Sequence, residues 1–499
     1  MDMTKQQRLV LVVSILASFV AFLDSAIVNV ALPAIQRDLG GGLSAQQWVV
    51  DAYMLTLGSF ILIAGSLSDL FGRKRILNIG LLGFGATSIL CAAAPNSEFL
   101  IFARALQGVA GALLVPRSLA LIIATFSGRA QGKAIGSWTA WTGIAFIIGP
   151  LLGGILVDSA SWRWIFAINI LPITITLYLL KHVSVPKREQ SAKPSVDIFG
   201  TVLCALGLGG TVFALIEQPH YGWTEPLIYL PLVLGIILLV GFILHERRIK
   251  NPMLPLGLFR NHNFSVGNVA TLAIYAGLTA GMFLIVVFLQ QVSGYSALEA
   301  GLSLLPVTLI LFLLSSRIGA LSAKLGPRLF MGFGPLIAGS GFLLMMGTPA
   351  DVNYWTQLFP GIIVFGLGLA LTVAPLTATI LGDVAKEQAG IASAVNNAVA
   401  RIAGLLAVAA VGAIVASQFG SSLDKLGDGY YNPTQINELK QTPLVTYPPG
   451  LAEKGYIDYE ILSQASVEAF RAGILSVAFL IMAGGVISLI GIRNPSRVQ

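Results

Sequence analysis

Asp24 and Asn29 in "FVAFLDSAIVNVALP" (19–33), Asp51 in "WVVDAYML" (48–55) and Arg104 in "LIFARALQGVAGA" (100–112) interrupt stretches otherwise apolar enough to lie in a bilayer. An ionisable group in hydrocarbon is expensive, so it faces a bundle interior or a water-filled cavity and pairs with another group. At about 1.5 Å rise per residue, Asp24, Arg104 and Asp51 lie roughly 13, 9 and 7 Å below the outer ends of their helices. Similar depth predicts that the three line one central cavity. Burial and an adjacent guanidinium act in opposite directions on a carboxyl group. A conformational change that altered water access or the arginine contact would therefore let Asp24 or Asp51 bind and release a proton. The alternatives are a static structural pair for Asp24 and, for Asp51, a position that faces water near its helix start.

The second half of the chain is poor in such carboxylates, with Glu299 and Asp383 at helix ends. Its mid-helix charge is Arg401 in "NNAVARIAGLL" (396–406), near Asn396 and Asn397. Arg401 is either a satisfied packing arginine or a contact for an anionic or amphipathic substrate. With Asn29, these three residues are the candidates for a substrate cavity. Glu217 reads as interfacial, and Trp162, Trp164 and Trp223 as members of an interfacial aromatic belt.

The elements that must position these groups follow from composition. The chain has 499 residues, 56% hydrophobic and 11% charged, with mean hydropathy +0.82, whereas a soluble chain is about 25% charged. This is the composition of an integral membrane protein. A spanning helix needs about 20 mostly apolar residues, and fourteen such runs occur, among them 9–32, 98–122, 299–316, 354–380, 388–417 and 469–492. The first is too long for a signal peptide's apolar core and is read as a retained helix. Cys91 and Cys204 both fall inside predicted helices, so no disulfide framework or metal cluster is expected.

With both termini in the cytoplasm, 22 of the 30 Lys and Arg residues, Arg117 among them, fall inside, 6 outside and 2, Arg104 and Arg401, within helices. The positive-inside rule favours that topology and requires an even number of spans. The net charge of +7 is then a topology signal, and no nucleic-acid partner is implied. The loop "GSLSDLFGRKR" (65–75) has a shorter echo in "GALSAKLGPR" (319–328), matching Gly65 with Gly319 and Gly72 with Gly326. Duplication of a half predicts an N-terminal six-helix bundle over 1–181, an inserted helix pair with basic cytoplasmic linkers over 182–263, and a C-terminal six-helix bundle over 264–499. The extracytoplasmic segment 418–467 is expected to be a folded hairpin or lid, or a flexible loop.

"GSLSDLFGRKR" resembles the signature loop of the major facilitator superfamily, and "LIFARALQGVAGA" its fourth-helix arginine motif. "GIAFIIGPLLGG" (143–154) resembles the fifth-helix motif of its exporters, while "LDSAIVNVALP" (23–33) and "WRWIFAIN" (162–169) resemble features of its fourteen-helix drug:proton antiporter branch. The resemblance covers essentially the whole chain. It implies an all-α membrane fold of two six-helix bundles plus two additional helices, working by alternating access. It also implies a cytoplasmic gate at Gly65, Asp69, Gly72, Arg73 and Lys74, where charge contacts between bundles must break on opening. Asp69 would face the positive end of the helix beginning near Gln388. Gly143, Gly149, Pro150, Gly153 and Gly154 would form a closely packed hinge, since small residues let membrane helices approach and proline frees a carbonyl.

The expected function is proton-coupled efflux of amphipathic drugs or toxic compounds across a bacterial inner membrane, by a monomer surrounded by lipid. One alternative is a dedicated exporter of one endogenous anionic or lipid-like metabolite, and another a non-transporting membrane sensor or scaffold. No Walker loop supports ATP drive, no cofactor is expected, and no nucleophile–base constellation suggests an enzyme.

Overall fold

The computed structural model describes residues 3–126, 128–183, 196–250, 252–385, 388–444 and 458–494. The first bundle contains α1 (Lys5–Leu39), α2 (Gly42–Phe71), α3 (Arg73–Ala92), α4 (Ser97–Ala112), α5 (Val115–Thr125), α6 (Gly128–Ser159), α7 (Trp164–Ala167) and α8 (Ile170–Lys181). Next come α9 (Ile198–Tyr221) and α10 (Pro226–Glu246). The second bundle contains α11 (His262–Gln291), α12 (Ala297–Ser303), α13 (Leu305–Leu325), α14 (Pro327–Met345), α15 (Phe359–Gly382), α16 (Ala389–Leu426), α17 (Pro433–Lys440) and α18 (Tyr459–Gly491). Among the described residues, thirteen helical segments are long and apolar enough to cross a membrane. The 30-residue α2 packs among them.

Prolines explain why several spans are built from two pieces. Pro116 stands in the first turn of α5, Pro306 in that of α13 and Pro360 in that of α15. Proline lacks the N–H that would continue a preceding helix but suits a helix start. Thus Ser97–Thr125 crosses as α4 and α5, and Ala297–Leu325 as α12 and α13. The paired loops behave alike. Gly72 (φ +89°) and Gly326 (φ +95°) each cap the following helix in a left-handed conformation suited to glycine.

Outside the bundles, α9 and α10 pack on each other, and α9 also lies against α2 and α16. The inserted pair therefore covers the seam where α2 meets α16. The described part of the segment 418–467 is largely helical, because α16 runs on to Leu426 and α18 begins at Tyr459, while residues 445–457 lie outside the described residues. The short helix α17 folds back, with Lys440 bridging Asp424 at 2.7 Å and Leu439 and Leu444 buried. Apolar residues at helical spacing continue past the predicted membrane boundary, which lets both helices extend.

The bundles close on each other at the predicted extracytoplasmic end. Gln290 Nε2 donates to Val30 O at 2.9 Å, Gln291 bonds Gln36, and Gln47 Nε2 donates to Val408 O at 2.7 Å. Asp158 at the end of α6 accepts from Ala297 N (3.2 Å) and Leu298 N (2.9 Å), capping α12 across the seam. A Cβ on Gly58 would lie 3.6 Å from Ile402, whereas one on Gly136, Gly143 or Gly382 would meet nothing within 4 Å. The described contacts between the bundles concentrate at that predicted extracytoplasmic end.

Capping of α12 by a carboxylate from the other bundle favours this closed exterior by about 1 kcal/mol. Asp158→Asn is expected to raise the outward-open population roughly fivefold. The rate at which a single cysteine at Asn29 reacts with an impermeant thiol reagent applied from outside measures that shift; an unchanged rate would discard the capping account.

Candidate functional site

Asp24 lies at the middle of the long helix α1, is fully buried, and is bonded on both oxygens. Arg104 Nη1 donates to Oδ2 at 2.6 Å, while Gln107 Nε2 and Asn169 Nδ2 donate to Oδ1 at 3.1 and 2.9 Å. Arg104 is itself held by Gln107 Oε1 at 2.7 Å and Val49 O at 3.1 Å, with Tyr53's ring 4.3 Å from its Cζ. Ser88 Oγ accepts from Gln107 Nε2 at 3.0 Å. Residues from α1, α2, α3 and α4, with Asn169 at the start of α8, thus neutralise and orient one carboxylate. A buried ion pair is tolerable only when its remaining hydrogen-bonding groups are satisfied in this way.

Of the hydrogen-bonding side chains in this network, Ser88, Gln107 and Asn169 escaped sequence reasoning. Gln107 lies three residues after Arg104 on the same helix face, and Asn169 closes "WRWIFAIN". Both were visible as polar residues in apolar runs.

Asp51 has the opposite surroundings. It is fully buried, and neither oxygen has a hydrogen-bond partner among the described residues. It follows Gln47 by four residues and Trp48 by three, so it lies one turn inward on their face of α2. Trp48 Nε1 donates to Glu217 of α9 at 2.7 Å, and Gln47 is bound to Val408 of α16. Leu405, Ala409, Leu208 and Val212 form an apolar cluster across this seam. Asp24, Arg104 and Asp51, with 0, 2 and 0% exposure, therefore do not line an open cavity as expected; each is enclosed by helix packing.

The hinge motif divides between two faces of α6. A Cβ on Gly149 would lie 2.7 Å from Ala26 Cβ, and one on Gly153 2.7 Å from Ile27 Cγ1, within the first bundle. Pro150, Gly154 and Asp158, four residues apart, form the neighbouring face toward the second bundle. Added carbons on Gly154 and Gly301 would each lie 2.7 Å from backbone there, at Leu298 N and Pro150 O. Gly143 has nothing within 4 Å and is exposed, so it is not a packing position. At about 100° per residue it points roughly 120° away from Gly149.

At the loop after α2, Arg73 Nη1 donates to Ala120 O at 3.2 Å, and Lys74 Nζ donates to Lys181 O and Val183 O at 3.1 and 2.7 Å. These bonds stay within the first bundle. The surroundings of Gly65 and the side chain of Asp69 lie outside the described residues, so the contact expected between Asp69 and the helix near Gln388 does too. Arg117, counted as a loop cation, is buried within α5.

In the second bundle, Asn396 donates to Asn268 Oδ1 (3.2 Å) and Thr271 Oγ1 (2.9 Å), which commits its amide to packing between α16 and α11. Asn397 is exposed and bonds Ser393 O of its own helix at 2.9 Å. Arg401 is half-buried, its guanidinium 5.9 Å from the Phe22 ring across the seam. Asn29 is half-buried as well. Trp164 and Trp223 are exposed, as a belt requires, but Trp162 is buried and donates to Asp38 at 2.9 Å.

Comparison with known proteins gives this architecture a family. Residues 14–408 match the model of the Major Facilitator Superfamily. The chain is 37% identical over 408 residues, 80% of each chain, to the puromycin resistance protein pur8 of Streptomyces alboniger. It is 32% identical over 501 residues to the multidrug resistance protein Stp of Mycobacterium tuberculosis, covering 97% of this chain and 92% of that one. Among solved structures, a bacterial homologue of the human lysosomal transporter Spinster, inward-facing and occupied, superposes with a TM-score of 0.64 at 17% identity, covering 98% of this chain and 97% of that one. With the family model matching most of the chain and the whole helical fold superposing on a solved transporter, the chain belongs to the Major Facilitator Superfamily as a multi-pass membrane protein.

Proposed function

We propose that the protein is a proton-coupled efflux antiporter that exports amphipathic drugs or toxic compounds across the bacterial cytoplasmic membrane. It does so as a fourteen-span monomer with both termini inside. Export is supported by relatives named for puromycin and multidrug resistance. Proton coupling rests on one observation, the buried Asp51 carboxyl with two unpartnered oxygens at the seam between bundles. An ionised carboxylate without partners in such a place costs several kcal/mol, and binding a proton removes most of that cost. When α2 and α16 separate, water replaces the apolar wall and favours the charged form. The opening and closing of the seam thereby exchanges a proton, while the Asp24–Arg104 pair keeps the first bundle's core intact through the cycle.

Asp51→Asn tests this. The substitution removes only the ability to ionise, so the protein is expected to fold with unchanged or slightly raised stability and still bind substrate. Proton-driven export, read as proton release from energised inside-out vesicles with a pH-gradient dye, is expected to fall to background. Unimpaired proton-driven export by this variant would remove Asp51 from the coupling path.

Arg401 favours a second reading. It stands at the seam beside Phe22, with no carboxylate in salt-bridge distance among the described residues. Such a cation suits an anionic or lipid-like metabolite. A response confined to amphipathic anions and lost in Arg401→Gln would select that exporter over the multidrug pump.

A further inference from the structure

Above Asp51, at the outer end of the seam, a pocket of 170 Å³ lies between α2, α9, α16 and α17. Ser44, Gln47, His220, Asn437, Lys440 and Gln441 supply its polar lining. Gln47 stands between this pocket and Asp51. It lines the pocket, is only 3% exposed, and its amide is tied to Val408 O at 2.7 Å. Its place against α16 exists because residue 412 is glycine; a Cβ there would collide with the Gln47 side chain. One helical turn further in stands Asp51.

We propose that this pocket is the extracytoplasmic antechamber for the coupling proton and that Gln47 is the gate between it and Asp51. The inference rests on the reading of Asp51 as the proton-binding group. In the closed exterior seen here, the Gln47–Val408 bond seals the route. Separation of α2 from α16 at the outer end breaks that same bond, so Asp51 meets outside water only when the exterior opens. The proton then passes from pocket water to an Asp51 oxygen, is held there when the seam closes outside as in this structure, and leaves toward the cytoplasm when α2 and α16 part on the inner side. The charged and titratable groups facing the route fit a passage for protons. Lys440 is paired with Asp424 at 2.7 Å, and Glu217 with the Trp48 indole at 2.7 Å. His220 stands exposed at the rim.

The test uses full-length protein in liposomes carrying an internal pH dye, under an imposed proton gradient and without substrate. Gln47→Ala is expected to admit protons about tenfold faster than wild type, the change in an open-to-closed ratio that follows loss of one buried hydrogen bond. The same variant carrying Asp51→Asn is expected to return to the wild-type rate. Absence of a leak, or a leak that survives Asp51→Asn, overturns the route. Ser44→Trp, which fills the pocket without touching Gln47's bond, is expected to slow proton-driven export several-fold while leaving substrate exchange at equal pH unchanged; equal effects on both overturn the proposal. If Asp51→Asn alone still supports proton-driven export, the reading of Asp51 fails. If that variant loses coupling and Gln47→Ala does not leak, only the route fails.

Discussion

Arg104→Ala is expected to abolish export and to destabilise the protein by about 3–5 kcal/mol, the range for removing one partner of a buried ion pair. The substitution leaves Asp24 without its cation, fully buried beside two amide donors. It also frees Gln107 Oε1 and Val49 O, both of which accept from the guanidinium. Thermal unfolding in detergent micelles measures the loss. Adding Asp24→Asn to Arg104→Ala is expected to recover much of the stability, because no uncompensated charge is then left, and none of the export. Arg104→Lys keeps the charge but cannot reach Asp24, Gln107 and Val49 together, since an ammonium lacks the planar fork of donors. It is expected to fall between the two. An Arg104→Ala protein as stable as wild type would show that the pair is not the structural centre of the first bundle.

Gly154→Val is expected to bring transport to background by a different route. The approach of α6 to the start of α12 is backbone against backbone, and a Cβ on Gly154 would sit 2.7 Å from Leu298 N. A side chain could rotate away, but backbone can give way only if the two helices separate. The exterior then fails to close and the protein collects in outward-open arrangements. Spin labels at Arg37 and Ser296 are expected to show longer distances in the variant than in wild type. Gly301→Val, which drives a carbon at Pro150 O from the facing helix, is expected to do the same. Normal export by both variants would mean that this contact is not part of the transport cycle.

Sequence alone determined the membrane class and most of the spans, and it marked Asp24, Asp51 and Arg104 as ionisable groups within them. Hydrophobic runs must be about as long as the bilayer is thick, and a buried charge is too costly to be incidental. It also marked the paired turns at Gly72 and Gly326, because a left-handed helix cap restricts the residue types that fit. Only the tertiary structure decided that Asp24 and Asp51, alike as carboxylates at similar depth, receive opposite treatment. Two of the groups that satisfy Asp24 lie 83 and 145 residues away along the chain. Helices that are apolar all round carry no polar stripe to show which face meets which neighbour. The same ambiguity hid the division of "GIAFIIGPLLGG" into one face that packs within the first bundle and another that closes the exterior. Membrane insertion is decided by length and hydropathy, which are local along the chain. Which charges are neutralised is decided by how helices turn toward one another, and that depends on packing between distant segments.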